Sequence, residues 1–144
     1  MNKCIKYKVL FVDDDSFLRT MYGMKLKEAG FDVATLEDAN GDFVEKVASI
    51  KPDLVYLDIV MPGRFGFEAL ELLKADSRTK EIPVIFETNL SEVKDIEKGI
   101  SLVAVDYLVI AYLTPSEFIQ TCVDYFNDSS AYIKRYPIYL KRKA

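Results

Sequence analysis

The chain has 144 residues, half of them apolar and 29% charged, with a net charge of −4; this is the balance of one soluble domain and excludes a disordered chain. No apolar run is long enough to cross a membrane and no signal peptide is recognisable, so we expect a cytoplasmic protein with reduced cysteines and no membrane contact. Histidine is absent, which leaves carboxylates rather than imidazole as ligands for a metal ion.

Short apolar runs alternate with helical patterns along the chain. The predicted strands are Val9–Val12, Phe31–Leu36, Leu54–Leu57, Pro83–Phe86 and Tyr107–Ile110. Apolar residues at helical spacing predict a helix after each strand, and the last of these helices begins with a capping box, Thr114 to Glu117. Five strands alternating with five helices indicate an α/β, doubly wound fold, in which helices cover both faces of a parallel sheet.

Polar residues follow the predicted strands at the edge where a parallel sheet binds ligands. The candidate residues at this edge are Asp13, Asp14, Asp15, Asp58, Glu87 and Thr88. We assign Asp15 to capping the first helix. The carboxylates of Asp13, Asp14 and Asp58, if they converge, repel one another by about 4 kcal/mol per close pair. The cluster therefore predicts a site for a hard cation, for which Mg²⁺ is the usual choice.

Four motifs in order resemble the signatures of response-regulator receiver domains, the phospho-accepting modules of two-component signal transduction. They are Leu10–Asp15, Leu57–Pro62, Pro83–Thr88 and Asp106–Val109, and the resemblance spans roughly residues 8 to 126. Each motif alone is weak, whereas four at the right spacing are highly specific. The resemblance implies a flavodoxin-like sheet with strand order 2-1-3-4-5, and we assign residues 1–128 to the receiver domain.

The resemblance also implies a role for each matching acidic residue. Asp13 and Asp14 would hold Mg²⁺, together with Asp58 and the backbone carbonyl of Val60. Asp58 would take a phosphoryl group from a phosphohistidine of a sensor histidine kinase or a phosphotransfer protein. The product would be an aspartyl phosphate, formed by an anionic nucleophile. The chain would then be a phosphoprotein of a signalling pathway and not an enzyme.

Two further residues match the switch of that family. The Thr88 hydroxyl would bind a phosphoryl oxygen, and Tyr107 would be the aromatic that turns inward when this hydroxyl moves. The signal would then pass through the face formed by the fourth helix, fifth strand and fifth helix, and the same face would serve a possible homodimer.

The chain departs from the family pattern at three positions. Ile110 stands where the family has a lysine that pairs with the phosphoryl group, and Ala111 stands where proline is usual. Because isoleucine supplies no charge, the phosphorylated state loses a contact worth roughly 1.5–3 kcal/mol. We expect Mg²⁺ binding and phosphorylation to survive, with weaker coupling to the output face. Phe65, where aspartate is common, is either a partner contact or local packing on the third helix.

Two other functions remain open. The first is a pseudo-receiver, the same fold used as a phosphorylation-independent docking module, which Ile110 favours and the intact aspartates oppose. The second is a phosphatase of the haloacid-dehalogenase type, whose opening motif Asp13 to Ser16 also fits. Such enzymes need a lysine after a later strand, and the predicted strand ends offer Thr88 and Ile110 instead.

Residues 129–144 form a basic C-terminal tail or linker with five basic residues and no acidic one. The preceding body contains 14 basic and 23 acidic residues, a net charge of −9, which argues against nucleic-acid binding by this domain. The tail is an extra element packed on the domain, a linker to an output domain, or a partner-docking segment.

Overall fold

The computed structural model describes residues 6–89, 93–102 and 104–134. Five strands form one sheet: β1 Lys8–Val12, β2 Asp32–Leu36, β3 Leu54–Leu57, β4 Val84–Thr88 and β5 Asp106–Val109. The helices of the described residues are α1 Ser16–Glu28, α2 Phe43–Ile50, α3 Gly66–Ala75, α4 Val93–Ser101, α5 Pro115–Asn127 and α6 Ser129–Lys134. The strands are parallel in the order β2-β1-β3-β4-β5, which confirms the predicted doubly wound, flavodoxin-like fold.

Local sequence explains where the main helices begin and end. The Asp15 carboxylate accepts hydrogen bonds from the backbone amides of Phe17 (2.9 Å) and Leu18 (3.1 Å), as predicted for the cap of α1. Gly30 follows that helix with a φ of 101°, a left-handed conformation that glycine adopts without strain. Both features involve residues that are close together in the sequence, so the local sequence is enough to predict them.

Two apolar cores lie on opposite faces of the sheet. Helices α2, α3 and α4 cover one face, and helices α1, α5 and α6 cover the other. All four residues of β3 and all five of β4 are buried, because a central parallel strand has helices on both sides. Cys122 is buried in the second core as a free thiol. None of the helices in the described segments is long and apolar enough to span a bilayer.

The structure corrects the predicted ends of two strands. Glu87 and Thr88 do not follow β4 but belong to it, because they pair with Leu108 and Val109 of β5. Ile110 is not the last residue of β5; it begins a 3-10 helix, Ile110–Tyr112. This short helix contains Ala111, at the position where the resemblance leads us to expect proline.

The first part of the basic tail packs on the domain. The α6 helix places Tyr132 in the second core, where its ring contacts Tyr125 of α5 edge-on at 5.8 Å. The Tyr132 hydroxyl donates a 2.7 Å hydrogen bond to the buried carboxylate of Asp106. Of the three possibilities for the tail, an extra packed element describes this segment. The tail residues after Lys134 lie outside the described residues.

Candidate metal and phospho-acceptor site

Three aspartates meet at the carboxyl ends of β1 and β3. One carboxylate oxygen from each of Asp13, Asp14 and Asp58 lies within 4.8 Å of the others. They meet because β1 and β3 are hydrogen-bonded neighbours, with Val12 opposite Leu57, and the aspartates follow directly. Asp13 is buried, Asp58 is partly buried and Asp14 is exposed, so the cluster opens to solvent on one side.

A small cavity of about 140 Å³ lies over this cluster. Its lining residues are Asp13, Asp14, Asp15, Leu18, Asp58, Glu87, Thr88, Asn89 and Ile110. No lysine or arginine is among the described residues that line it. Ile110 borders the cavity where the family would place a lysine, so the negative charge has no compensating side chain there.

Burial and mutual repulsion perturb the acids of the cavity. Burial, followed by the charges of Asp13 and Asp14, raises the pKa of Asp58 to about 7, although hydrogen bonds from the Ile59 amide and Thr88 oppose the shift. Burial also raises the pKa of Asp13, against the lowering effect of a hydrogen bond from the Asp15 amide. A nearby cation would stabilise the ionised form of these carboxylates and so lower their pKa values.

Backbone contacts orient the two inner aspartates. The Asp58 carboxylate accepts a 2.8 Å hydrogen bond from the amide of Ile59, and Asp13 accepts one of 2.8 Å from the amide of Asp15. The Arg19 guanidinium donates to the Asp13 backbone carbonyl at 2.8 Å. Hydrogen bonds from the protein therefore fix the positions of Asp13 and Asp58.

The loop after Asp58 is tied to the loop after β2. Asn40 donates to the Pro62 carbonyl at 2.9 Å and accepts from the Arg64 amide at 2.8 Å. Val60, the predicted carbonyl ligand, lies in this loop with its side chain exposed. At the end of the loop, a Cβ atom on Gly66 would collide with the Asp58 carbonyl oxygen, so α3 begins in direct contact with the backbone of Asp58.

The predicted switch residues lie on adjacent strands. Thr88 is buried at the end of β4, and its hydrogen bond to Asp58 lowers the pKa of that carboxyl. Tyr107 on β5 is fully buried, with its ring 6.1 Å from that of Phe86. Gly99 of α4 packs directly against Tyr107, because a Cβ atom there would lie 2.8 Å from the ring. Tyr107 thus points inward beneath α4.

Phe65 is exposed and Glu87 is buried, in contrast to their usual preferences. Phe65 occupies the N-cap position of α3 and is 56% exposed, so the domain itself leaves more than half of this residue uncovered. Glu87 is fully buried beside the cluster, although sequence reasoning gave it no role. The sequence does contain a signal for Glu87. An acidic residue directly follows the apolar run that ends at Phe86, in a segment whose other residues predict burial.

Comparisons with known proteins agree with this geometry. The model of the response regulator receiver domain family matches residues 9–112. The chain is 32% identical over 105 residues to the DNA-binding response regulator MtrA of Mycolicibacterium paratuberculosis, covering 73% of this chain and 45% of that protein. It is 33% identical over 102 residues to the DNA-binding dual master transcriptional regulator RpaA of Synechocystis, covering 70% and 42%. The chain therefore spans less than half the length of these relatives.

Solved structures show the same fold. The chemotaxis protein CheY4 of Vibrio cholerae superposes with a TM-score of 0.75 at 27% identity, covering 83% of this chain and 98% of that one. The BeF3-activated receiver domain of Klebsiella pneumoniae RstA gives a TM-score of 0.62 at 30% identity, covering 70% and 83%.

Proposed function

Because the chain belongs to the response regulator receiver domain family, we propose that it accepts a phosphoryl group on Asp58 in a reaction that depends on Mg²⁺. The observation that carries this proposal is the meeting of Asp13, Asp14 and Asp58 within 4.8 Å. The donor is a phosphohistidine of a sensor kinase or phosphotransfer protein. An Asp58 oxygen bonds to phosphorus as the phosphorus–nitrogen bond breaks, and the imidazole keeps the bonding electrons and takes up a proton.

The donor set fits a hard divalent cation. Asp13, Asp14, Asp58 and the Val60 carbonyl offer oxygen alone, and the cavity lining has no basic side chain among its described residues. When bound, Mg²⁺ neutralises the carboxylates and the oxygens of the transferring group. The protein's own contribution is to hold Asp58 through the Ile59 amide and to offer the Thr88 hydroxyl to a phosphoryl oxygen.

The output passes through the face formed by α4, β5 and α5. Thr88 and Tyr107 lie on neighbouring strands, and Tyr107 touches Gly99 of α4, so a movement at Thr88 has a short path to that face. Ile110 supplies no charge to the phosphoryl group, and we therefore expect weak coupling. The same face is the one we propose for a homodimer, and kinase docking would involve α1 and the loops around Asp58.

Intact-protein mass spectrometry tests the proposal. The chain is incubated with a small phosphodonor such as acetyl phosphate, with Mg²⁺ or with a chelator. We expect the mass of one phosphoryl group to be added with Mg²⁺ and not with the chelator, and no addition to the Asp58→Asn variant. Labelling of that variant to the wild-type level, or labelling that ignores Mg²⁺, would contradict the proposal.

A pseudo-receiver is the second candidate, and the observation that favours it is Ile110 at the rim of the cavity. Hydrogen exchange across α4, β5 and α5, measured with and without the phosphodonor, separates the two. A phosphorylated protein whose hydrogen exchange changes little across this face has weak coupling. A protein that the phosphodonor does not phosphorylate would favour the pseudo-receiver. A large change would refute weak coupling. The phosphatase alternative has lost its support, because the matching family model is that of receivers.

The remaining parts of the proposal concern the chain's context. We assign residues 1–128 to the receiver and 129–144 to a tail or linker, of which α6 packs on the domain. The acidic body supports the absence of nucleic-acid contact by this domain. A cytoplasmic site of action follows from the kinase partner that we propose.

A further inference from the structure

The core holds the near end of the loop between β3 and α3. This acceptor loop, residues 59–65, carries the Val60 carbonyl that we propose as a magnesium ligand. Ile59 and Met61 are 2% and 3% exposed, so the residues on either side of Val60 are anchored in the core. The amide of Gly66 donates a 2.8 Å hydrogen bond to the Ile59 carbonyl and closes the loop. The position of the Val60 carbonyl therefore depends on a short, closed segment of backbone.

A side chain from a different loop holds the far half of the acceptor loop. Asn40, in the connection between β2 and α2, donates to the Pro62 carbonyl at 2.9 Å and accepts from the Arg64 amide at 2.8 Å. Gly63 lies between these two partners with a φ of 86°, a conformation that favours glycine. A Cβ atom on Gly63 would collide with the Asn40 side chain, so the two loops are in direct contact.

Arg64 makes the reciprocal contact with the connection between β2 and α2. Its guanidinium Nη1 donates to the Ala39 carbonyl at 2.7 Å and to the Gly41 carbonyl at 3.4 Å. The Asp38 carboxylate accepts a 3.0 Å hydrogen bond from the backbone amide of Asn40 and orders the same connection. Each of the two loops therefore uses one side chain to bind the backbone of the other.

We propose that Asn40 and Arg64 are positioning residues, which hold the acceptor loop in the conformation that presents the Val60 carbonyl to the cation. This inference rests on the proposed function, since it concerns the affinity of the same magnesium site. Neither side chain belongs to the carboxylate cluster or lines the cavity over it, so their action passes through the loop backbone. A loop that is already ordered loses less conformational freedom when the ion binds, and outer contacts of this kind tune metal affinity.

Magnesium titrations by calorimetry test the inference. Asn40→Ala removes both side-chain hydrogen bonds to the acceptor loop. Arg64→Met removes the guanidinium and keeps an unbranched side chain, whereas Arg64→Lys keeps a cationic donor. Arg78→Met is the matched control, because it makes the same chemical change and breaks the 2.9 and 2.7 Å hydrogen bonds to Glu45 of α2 without touching the acceptor loop.

We expect Asn40→Ala and Arg64→Met to bind Mg²⁺ about tenfold more weakly than wild type, and Arg64→Lys to stay within about threefold of it. Arg78→Met should bind like wild type. The direction of the Arg64→Met result is informative, because the loss of a positive charge alone would favour the binding of a cation. Urea unfolding of each variant with a chelator checks that the chains are folded under the conditions of the titration, so that weaker binding cannot come from unfolding.

Two results would overturn the inference alone. The first is a folded Asn40→Ala variant that binds Mg²⁺ as tightly as wild type, because the contacts between the loops would then serve stability only. The second is an Arg64→Met variant that binds as tightly as wild type or more tightly, and this result decides the matter if Asn40→Ala does not fold. Failure of the wild-type protein to bind Mg²⁺ would instead overturn the magnesium site itself, and this inference with it.

Discussion

The Asp58→Asn variant measures the repulsion on which the site depends. Burial and the charges of Asp13 and Asp14 raise the pKa of Asp58 from 3.8 to about 7. Between these two values the folded protein holds a proton that the unfolded chain releases. The free energy of unfolding without Mg²⁺ therefore falls as the pH rises through this interval, and the loss is complete above about pH 7. Asparagine does not ionise, so the variant escapes the loss.

The magnitude follows from the difference between the two pKa values. A rise from 3.8 to about 7 corresponds to roughly 4 kcal/mol at about 1.4 kcal/mol per pH unit. Asp58 is partly exposed, and solvent screening reduces this figure by about half. We therefore expect the variant to be more stable than wild type by roughly 2 kcal/mol near pH 8 with a chelator, and by much less near pH 5.

Urea unfolding followed by circular dichroism measures both values. Asp32→Asn is the matched control, because it makes the same chemical change at an exposed position at the start of β2. Saturating Mg²⁺ should reverse the order near pH 8, since a ligand at about 100 times its dissociation constant stabilises wild type by about 2.7 kcal/mol and binds the variant poorly. The same stability difference near pH 5 and near pH 8 would refute the reasoning.

Three further variants test separate contacts. Ile110→Lys should stabilise the magnesium-free protein by about 1 kcal/mol near pH 8 in urea unfolding, because the new ammonium group offsets the charge of the aspartates. An equal gain in an Asp58→Asn background would contradict this explanation. Gly66→Ala should cost about 1–3 kcal/mol and slow phosphodonor labelling, since the new methyl group meets the Asp58 carbonyl; unchanged labelling would refute the second part. Tyr132→Phe should cost about 1–3 kcal/mol, because it removes a buried donor to Asp106; a neutral effect would mean that α6 adds no stability through this contact.

The structure confirms the elements that depend on local sequence. The cap of α1 at Asp15 and the capping box of Thr114 and Glu117 both form as predicted. Their hydrogen bonds join residues two or three positions apart, so nothing distant is needed to form them. The apolar runs of β1 and β3 were recognisable for a related reason, since a strand buried on both faces consists mainly of apolar residues.

Sequence reasoning failed where an element depends on a distant neighbour. The apolar run ends at Phe86, yet β4 continues to Thr88 because β5 offers hydrogen bonds to it. The tail was left open among three possibilities, and α6 packs because Tyr132 reaches Asp106, 26 positions earlier in the chain. Neither outcome has a local signal, because each one depends on which residues the fold brings alongside.

The sequence alone determined the fold class and the chemical character of the site. Acids directly after buried strands must lie at one edge of a parallel sheet, and oxygen ligands select a hard cation. The tertiary structure decided which acids interact and how strongly. Pairing of β1 with β3 brings Asp58 to Asp13 and Asp14, and pairing of β4 with β5 includes Glu87 in a fully buried strand. Electrostatic energy depends on the distances between the charged groups and on their burial, and both are fixed only when the strands pair.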